Sequence, residues 1–301
     1  MQKNSIKNTM MLLLAAMIWG FAFVAQSTGM NYVGPFTFNA VRSFMGSLVL
    51  FPVAFLGKHR FGQMTKEEKK ELLISGSVCG LLLGTATNLQ QIGIMTTSVG
   101  KAGFLTALYI VLVPMVSLFL KKKCGKNVWI GVVCSVIGLY LLCMTENSTS
   151  IAIGDVYLLS CAVVFTFHIL VIDHFAPRVN GVQMSCIQFL VAGILSSIFM
   201  IFSETPTISS IWEAKLPLLY AGVLSSGVAY TLQILGQKNY NPTIAVLILS
   251  LESTVSVLGG FLILKETLSI RESFGCILMF VAIILAQLPN KKVVAKSIGY
   301  S

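Results

Sequence analysis

Residues 99–120 read VGKAGFLTALYIVLVPMVSLFL, and residues 242–264 read PTIAVLILSLESTVSVLGGFLIL. Each is long and apolar enough to cross the hydrocarbon core of a bilayer, which takes about 20 residues as a helix. Each also aligns with the other. At an offset of 143, Ala102 falls on Ala245, and the match extends outward to Leu89-Gln90 with Leu232-Gln233, Gly93 with Gly236 and Lys122 with Lys265. After one inserted residue Gly131 meets Gly275. At an offset of 146 the first helix pairs align too, placing Trp19 opposite Phe165 and Arg42 opposite Gln188. The chain is a duplication of a membrane-spanning unit.

The composition requires the same solvent. Of 301 residues, 55% are hydrophobic and 11% charged, with mean hydropathy +0.85; ordinary soluble domains carry roughly 25% charge. This excludes a disordered chain, a disulfide scaffold and a water-soluble enzyme. Seven cysteines, an odd number without a CxxC, lie within apolar runs except for Cys124 and read as small hydrophobes. Neither a metal site nor a cofactor is expected.

Hydropathy marks ten spans, at 9–28, 34–56, 72–93, 99–120, 127–144, 154–174, 182–203, 215–236, 242–264 and 272–289. With the N-terminus inside, the cytoplasmic segments hold 16 Lys and Arg and the opposite segments 4. Excess basic residues mark cytoplasmic loops, so both termini are expected in the cytoplasm. The formal charge of +10 needs no nucleic acid, since no segment interleaves basic with aromatic residues. Lys3 and Lys7 before an apolar run imitate a secretory signal, but removing the first span would spoil the repeat. The expected organisation is therefore an N-tail (1–8), a first five-helix repeat (9–145), a second (152–289) and a basic C-tail (290–301). Five is odd, so the copies should enter the membrane from opposite faces. Such inverted repeats characterise secondary transporters, whose sites lie near mid-membrane between the halves.

Several segments carry a more specific likeness: Ala15 to Gly20 (AAMIWG), Phe38 to Arg42 (FNAVR), the run 97–114 (TSVGKAGFLTALYIVLVP) and the run 249–269 (LSLESTVSVLGGFLILKETLS). In these the chain resembles the EamA-like branch of the ten-helix drug/metabolite transporter superfamily, over about residues 9–289. It departs at Ser253, where the family usually has proline after the glutamate. The resemblance implies an all-α integral membrane protein of two inverted five-helix repeats that exports or exchanges small metabolites across the cell membrane. Helices 1–4 and 6–9 would enclose the cavity, with helices 5 and 10 outside it.

Ionisable groups inside a bilayer are costly and each needs a reason. Glu252, with Ala245, Leu249 and Ser256 on its face, reads either as a cavity-facing group that binds a cation or couples a proton, or as a brace between helices. Arg42 can attract a carboxylate or phosphate, or snorkel outward or pair with an acid. Lys101 reads as an anchor. Trp19, Phe23 and Gln26 share an arc that suits stacking or packing. Thr87, Asn88 and Gln91 follow the Gly76, Gly80, Gly84 ladder, and Gln90 repeats as Gln233. Gly222, Ser226, Tyr230 and Gln233 form one stripe that suits a polar passage or interhelical hydrogen bonds. Tyr109 joins the cavity candidates. His168 reads as packing or a proton relay. Asp155 and Asp173 should reach water.

No metalloprotease motif, nucleophile elbow or phosphate loop is present. The expected function is a secondary transporter of small polar or amphipathic, amino-acid-like metabolites, an exporter working by alternating access. Alternatives are multidrug efflux of lipophilic cations and a non-transporting membrane scaffold. The expected partners are the small-molecule substrate and the lipid bilayer, the protein acting as a monomer or homodimer.

Overall fold

The computed structural model describes residues 2–55, 64–96, 99–120, 125–143, 153–263 and 269–287. Every described element is helical. The first half holds α1 (Gln2–Gly29), α2 (Pro35–Phe55), α3 (Lys66–Thr96), α4 (Val99–Ala107), α5 (Tyr109–Phe119) and α6 (Lys126–Cys143). The second half begins with α7 (Ile153–Phe175), α8 (Gly181–Ser203) and the short α9 (Ile208–Glu213). Then α10 (Lys215–Leu219) runs through a π-helical segment (Tyr220–Ala229) into α11 (Tyr230–Gln237), followed by α12 (Pro242–Leu249), α13 (Leu251–Ile263) and α14 (Ile270–Gln287). Among the described residues, seven helices are long and apolar enough to span a membrane; shorter apolar helices at 126–141, 242–258 and 273–282 fall on the remaining three expected spans. The C-tail, Cys124 and the matched Lys122 and Lys265 lie outside the described residues, as does the side chain of Lys101.

The helices depart from the hydropathy boundaries for local reasons. Helix α3 starts at Lys66 because Thr65 and Glu68 form a capping box, each side chain bonded to the other's backbone N–H (2.8 and 3.2 Å). Expected spans 99–120 and 242–264 are each interrupted by one tight turn. At Leu108 (φ −60°, ψ −12°) the carbonyl accepts from Val111 N–H at 3.0 Å; at Ser250 (φ −63°, ψ −11°) it accepts from Ser253 N–H at 3.2 Å. The second turn forms although Ser253 is not proline. The Ser250 hydroxyl instead donates to the Leu247 carbonyl at 2.8 Å, a side-chain bond that bends helices. Asp155, expected in water, is buried.

The halves join through close backbone approach. Helix α8 lies on the Gly76, Gly80, Gly84 face of α3: a Cβ on Gly80 would sit 2.7 Å from the Gln188 carbonyl oxygen and 2.6 Å from Val191 Cβ. On the other side α2 meets the π segment, where a Cβ on Gly46 would lie 2.7 Å from Ser226 Cβ. Helices α2 and α8 run antiparallel and are tied at both ends. At one end the Glu204 carboxylate accepts from Phe36 N–H (2.9 Å), Thr37 N–H (2.8 Å) and the Thr37 hydroxyl, capping α2 from the other half of the chain. At the opposite end the Gln183 amide donates to the Ala54 carbonyl at 2.9 Å. Helix α6 packs along α14, with Gly138 against Gly275 and Met279. Leu48, Phe119, Phe202 and Ile277 face outward, an apolar exterior suited to lipid chains.

Replacing Gly80 by Ala should lower the thermal midpoint in detergent, at a cost of about 1–3 kcal/mol for forced separation of α3 from α8. Gly103→Ala, whose Cβ would meet nothing closer than Ser253 Oγ at 3.5 Å, should be neutral or stabilising; equal effects would contradict this packing. Glu204→Ala should cost about 1–2 kcal/mol through the lost cap, measurable in the same melt.

Candidate functional site

A cavity lies between the two halves, with walls drawn from α1–α5, α7, the π segment and α11–α13. Neither α6 nor α14 contributes. The centre of a water molecule has about 40 Å³ to move in there. One water needs roughly 10–15 Å³ by this measure, so the cavity as it stands has room for only a few waters. Of the eleven residues expected at the site, Trp19, Phe23, Arg42, Gln90, Tyr109, Tyr230, Gln233 and Glu252 line it.

The lining follows the internal repeat. The offsets that align the halves also superpose Trp19 on Phe165, Phe23 on Ile169, Gln90 on Gln233, Thr106 on Leu249 and Tyr109 on Glu252. All five pairs line the cavity, accounting for ten of its fourteen residues. One pair is in direct contact: the Tyr109 hydroxyl donates to Glu252 Oε1 at 2.9 Å. Glu252 is 6% exposed and Tyr109 4%, so this bond works in a medium of low dielectric, where it is strong.

The other walls combine charge, amide and ring. Trp19 and Tyr230 meet with ring centroids 4.5 Å apart, and Phe165 stands edge-on to Tyr109 at 6.5 Å. The Arg42 guanidinium, 4% exposed, lies 5.8 Å from the centroid of Phe38. Among the described residues no carboxylate lies within ion-pair distance of it. A buried cation without a counterion is costly, and its open side is the cavity. Trp19 Nε1, Gln26 Oε1 and Gln233 Oε1, also of the lining, have no hydrogen-bond partner among the described residues. The Gln90 amide reaches Thr106 Oγ1 only at 3.5 Å. These are donors and acceptors available to a guest.

Three expected residues sit behind the lining. Asn88 Oδ1 accepts from Asn39 (2.8 Å) and Ser196 (3.0 Å), joining α2, α3 and α8. The Gln91 amide donates to the Gln26 carbonyl at 3.3 Å. His168 meets Gln188 (Nε2 to Oε1, 3.2 Å) and packs edge-on against Phe165 and Tyr230. Conversely, Thr106, Phe165, Ile169 and Ser225 line the cavity without having been singled out, as does Leu249, expected only on the face of Glu252. Thr106, Phe165 and Ile169 are the repeat partners of Leu249, Trp19 and Phe23, so the alignment held the signal. Ser225 had none: the expected stripe used Ser226. The π segment, in which Tyr230 N–H bonds to Ser225 O, widens the turn to i→i+5. This brings Ser225 to the cavity and turns Ser226 toward Gly46 of α2. Among the described residues, no cluster of three His, Cys, Asp or Glu side chains is placed to hold a metal.

Known proteins resemble this chain in sequence and in fold. A protein of Archaeoglobus fulgidus named an uncharacterized transporter is 30% identical over 278 residues, covering 92% of this chain and 84% of that protein. The uncharacterized transporter YoaV of Bacillus subtilis is 24% identical over 284 residues, covering 91% and 94%. A crystal structure 19% identical in sequence shares the fold, with a TM-score of 0.77 over 95% of this chain and 98% of that one. The EamA-like transporter family matches twice, at residues 7–144 and 152–288. With its apolar spans and two family repeats, this chain is a multi-pass membrane transporter that belongs to the EamA-like transporter family.

Proposed function

We propose that the protein is a secondary carrier of small zwitterionic metabolites with an apolar side chain, amino-acid-like in chemistry, and that it exports them across the cell membrane by alternating access. The observation that carries this reading is the presence of Arg42 and Glu252, a buried cation and a buried carboxyl group not paired with each other, in the lining of one cavity. The substrate carboxylate would take two parallel hydrogen bonds from the Arg42 guanidinium. Its ammonium group would take Glu252 and the faces of Trp19 and Tyr230. Phe23, Phe165 and Leu249 leave an apolar wall for the side chain, and Gln90 and Gln233 supply orienting amides.

Alternating access follows from two five-helix copies in opposite orientation. An opening toward one face by one copy has a near-equivalent opening toward the other face. The excess of basic residues on one side supports a cytoplasmic position for both termini. With no phosphate loop in the sequence, the driving force is an ion or substrate gradient, and Glu252 is the group to carry a coupled proton. His168, behind Tyr230, serves packing. The export direction rests on the family resemblance.

Multidrug efflux of lipophilic cations fits less well, because Arg42 places an unpaired positive charge in the same cavity and would repel them. A scaffold without transport would have no use for two opposite charges facing a shared hollow.

Metabolites excreted on overproduction should identify the substrate without prior assumption. In proteoliposomes loaded with that substrate, Glu252→Gln and Arg42→Gln should each reduce flux by about tenfold or more, the effect of one lost charged contact of about 1.5–3 kcal/mol, with folded protein unchanged. Normal flux with an unaltered pH dependence in Glu252→Gln would reject its role. Preferential export of lipophilic cations would reverse the choice of substrate class.

A further inference from the structure

Two residues related by a twofold axis can touch only if both lie beside that axis. Tyr109 and Glu252 are equivalent by the repeat and hydrogen-bonded at 2.9 Å, the placement that an axis between two inverted copies would require. Each also follows closely on the interruption of its own span, Tyr109 directly after Leu108 and Glu252 two residues after Ser250. The two turns have nearly the same dihedral angles, φ −60° and ψ −12° against φ −63° and ψ −11°. The segments then pack crosswise, α5 on α12 and α4 on α13. Tight turns inside helices are places where helices hinge, and paired interruptions in corresponding spans of two repeats mark a transporter's site.

We infer that the Tyr109–Glu252 hydrogen bond is a latch on the axis between the repeats: it holds the unloaded cavity contracted, and an ammonium group that takes Glu252 frees Tyr109 and lets both interrupted helices bend at Leu108 and Ser250. This deepens the carrier reading and rests on it. The latch joins α5 to α13, one segment from each repeat, directly beside both turns. While it is made, neither half can tilt away from the other without breaking a bond to a buried carboxyl group in a site shielded from bulk water, which costs more than in water. Once an ammonium group is bound, Glu252 has another partner and that cost falls. Binding energy at Glu252 thereby becomes differential between contracted and open states, which is the condition for a ligand to drive a conformational change.

The test reads opening directly, independent of transport. In a protein whose native cysteines are replaced, Ser225→Cys places a single thiol on the cavity wall, and a water-soluble maleimide is larger than the few waters for which the cavity has room. Modification in detergent without added metabolite then reports spontaneous opening. Tyr109→Phe should raise the modification rate by about tenfold, the factor expected for one lost bond to a charged acceptor. Glu252→Ala should raise it by a similar factor, and the double variant by no more than either alone, because both remove the same bond. An unchanged rate in a folded Tyr109→Phe protein overturns the latch, as do rises that multiply in the double variant. Should Tyr109→Phe fail to fold, an unchanged rate in Glu252→Ala overturns it equally. Raised rates in the variants, beside a parent protein with Tyr109 and Glu252 intact that moves no metabolite, would leave the latch standing and reject the carrier reading alone.

Discussion

A carboxyl group in the interior of a membrane protein must find a partner within hydrogen-bond reach, and Glu252 finds it in the residue that the repeat sets opposite. That contact brings α5 and α13 together. The cavity lies around this contact, between the halves. The repeat pairs that surround it, from Trp19 with Phe165 to Gln90 with Gln233, form its walls. The glycine faces of α3 and the π segment then let α8 and α2 close around this centre with backbones nearly in contact. Dispersion and backbone proximity, not a hydrophobic drive, must supply cohesion in lipid.

The frame is duplicated but the chemistry is not. Arg42 corresponds to Gln188, yet Arg42 faces the cavity while Gln188 is engaged with His168 behind the wall. Tyr109 corresponds to Glu252, a neutral donor facing an acceptor. Duplication thus sets equivalent positions around the cavity, and divergence gives them different chemistry. The same asymmetry distinguishes the ends of the α2–α8 pair. Glu204 holds one end with an ionisable carboxylate on a helix N-terminus, and Gln183 holds the other with a neutral amide.

The spans, the duplication and most of the cavity wall could be read from residue order, because hydrocarbon enforces apolar runs and a repeat conserves spacing. Glu252, Arg42 and Gln233 stood out as polar groups where polarity is costly. Other features depend on tertiary geometry that spacing does not encode. The π turn exchanged Ser225 for Ser226, and a reading that assumes 3.6 residues per turn cannot see such a shift. The interruption at Ser250 forms without a proline at position 253, as the equivalent one at Leu108 forms without any side-chain bond, so no helix-breaking residue announces either. The Thr65–Glu68 box was legible as a motif but lay beyond the hydropathy boundary. Asn88 was chosen as a polar residue on a useful face; only the structure shows that Asn39 and Ser196 already occupy it.

The central claim is that the cavity is built for a guest carrying both charges. Native mass spectrometry of the protein in lipid nanodiscs, after exposure to a whole metabolite extract, tests it most directly because the guest is weighed instead of guessed. The account predicts that retained molecules are small, bear both an amine and a carboxylate, and are lost when either Arg42 or Glu252 is neutralised. Retention of singly charged lipophilic cations, or of zwitterions undiminished by both neutralisations, would contradict it.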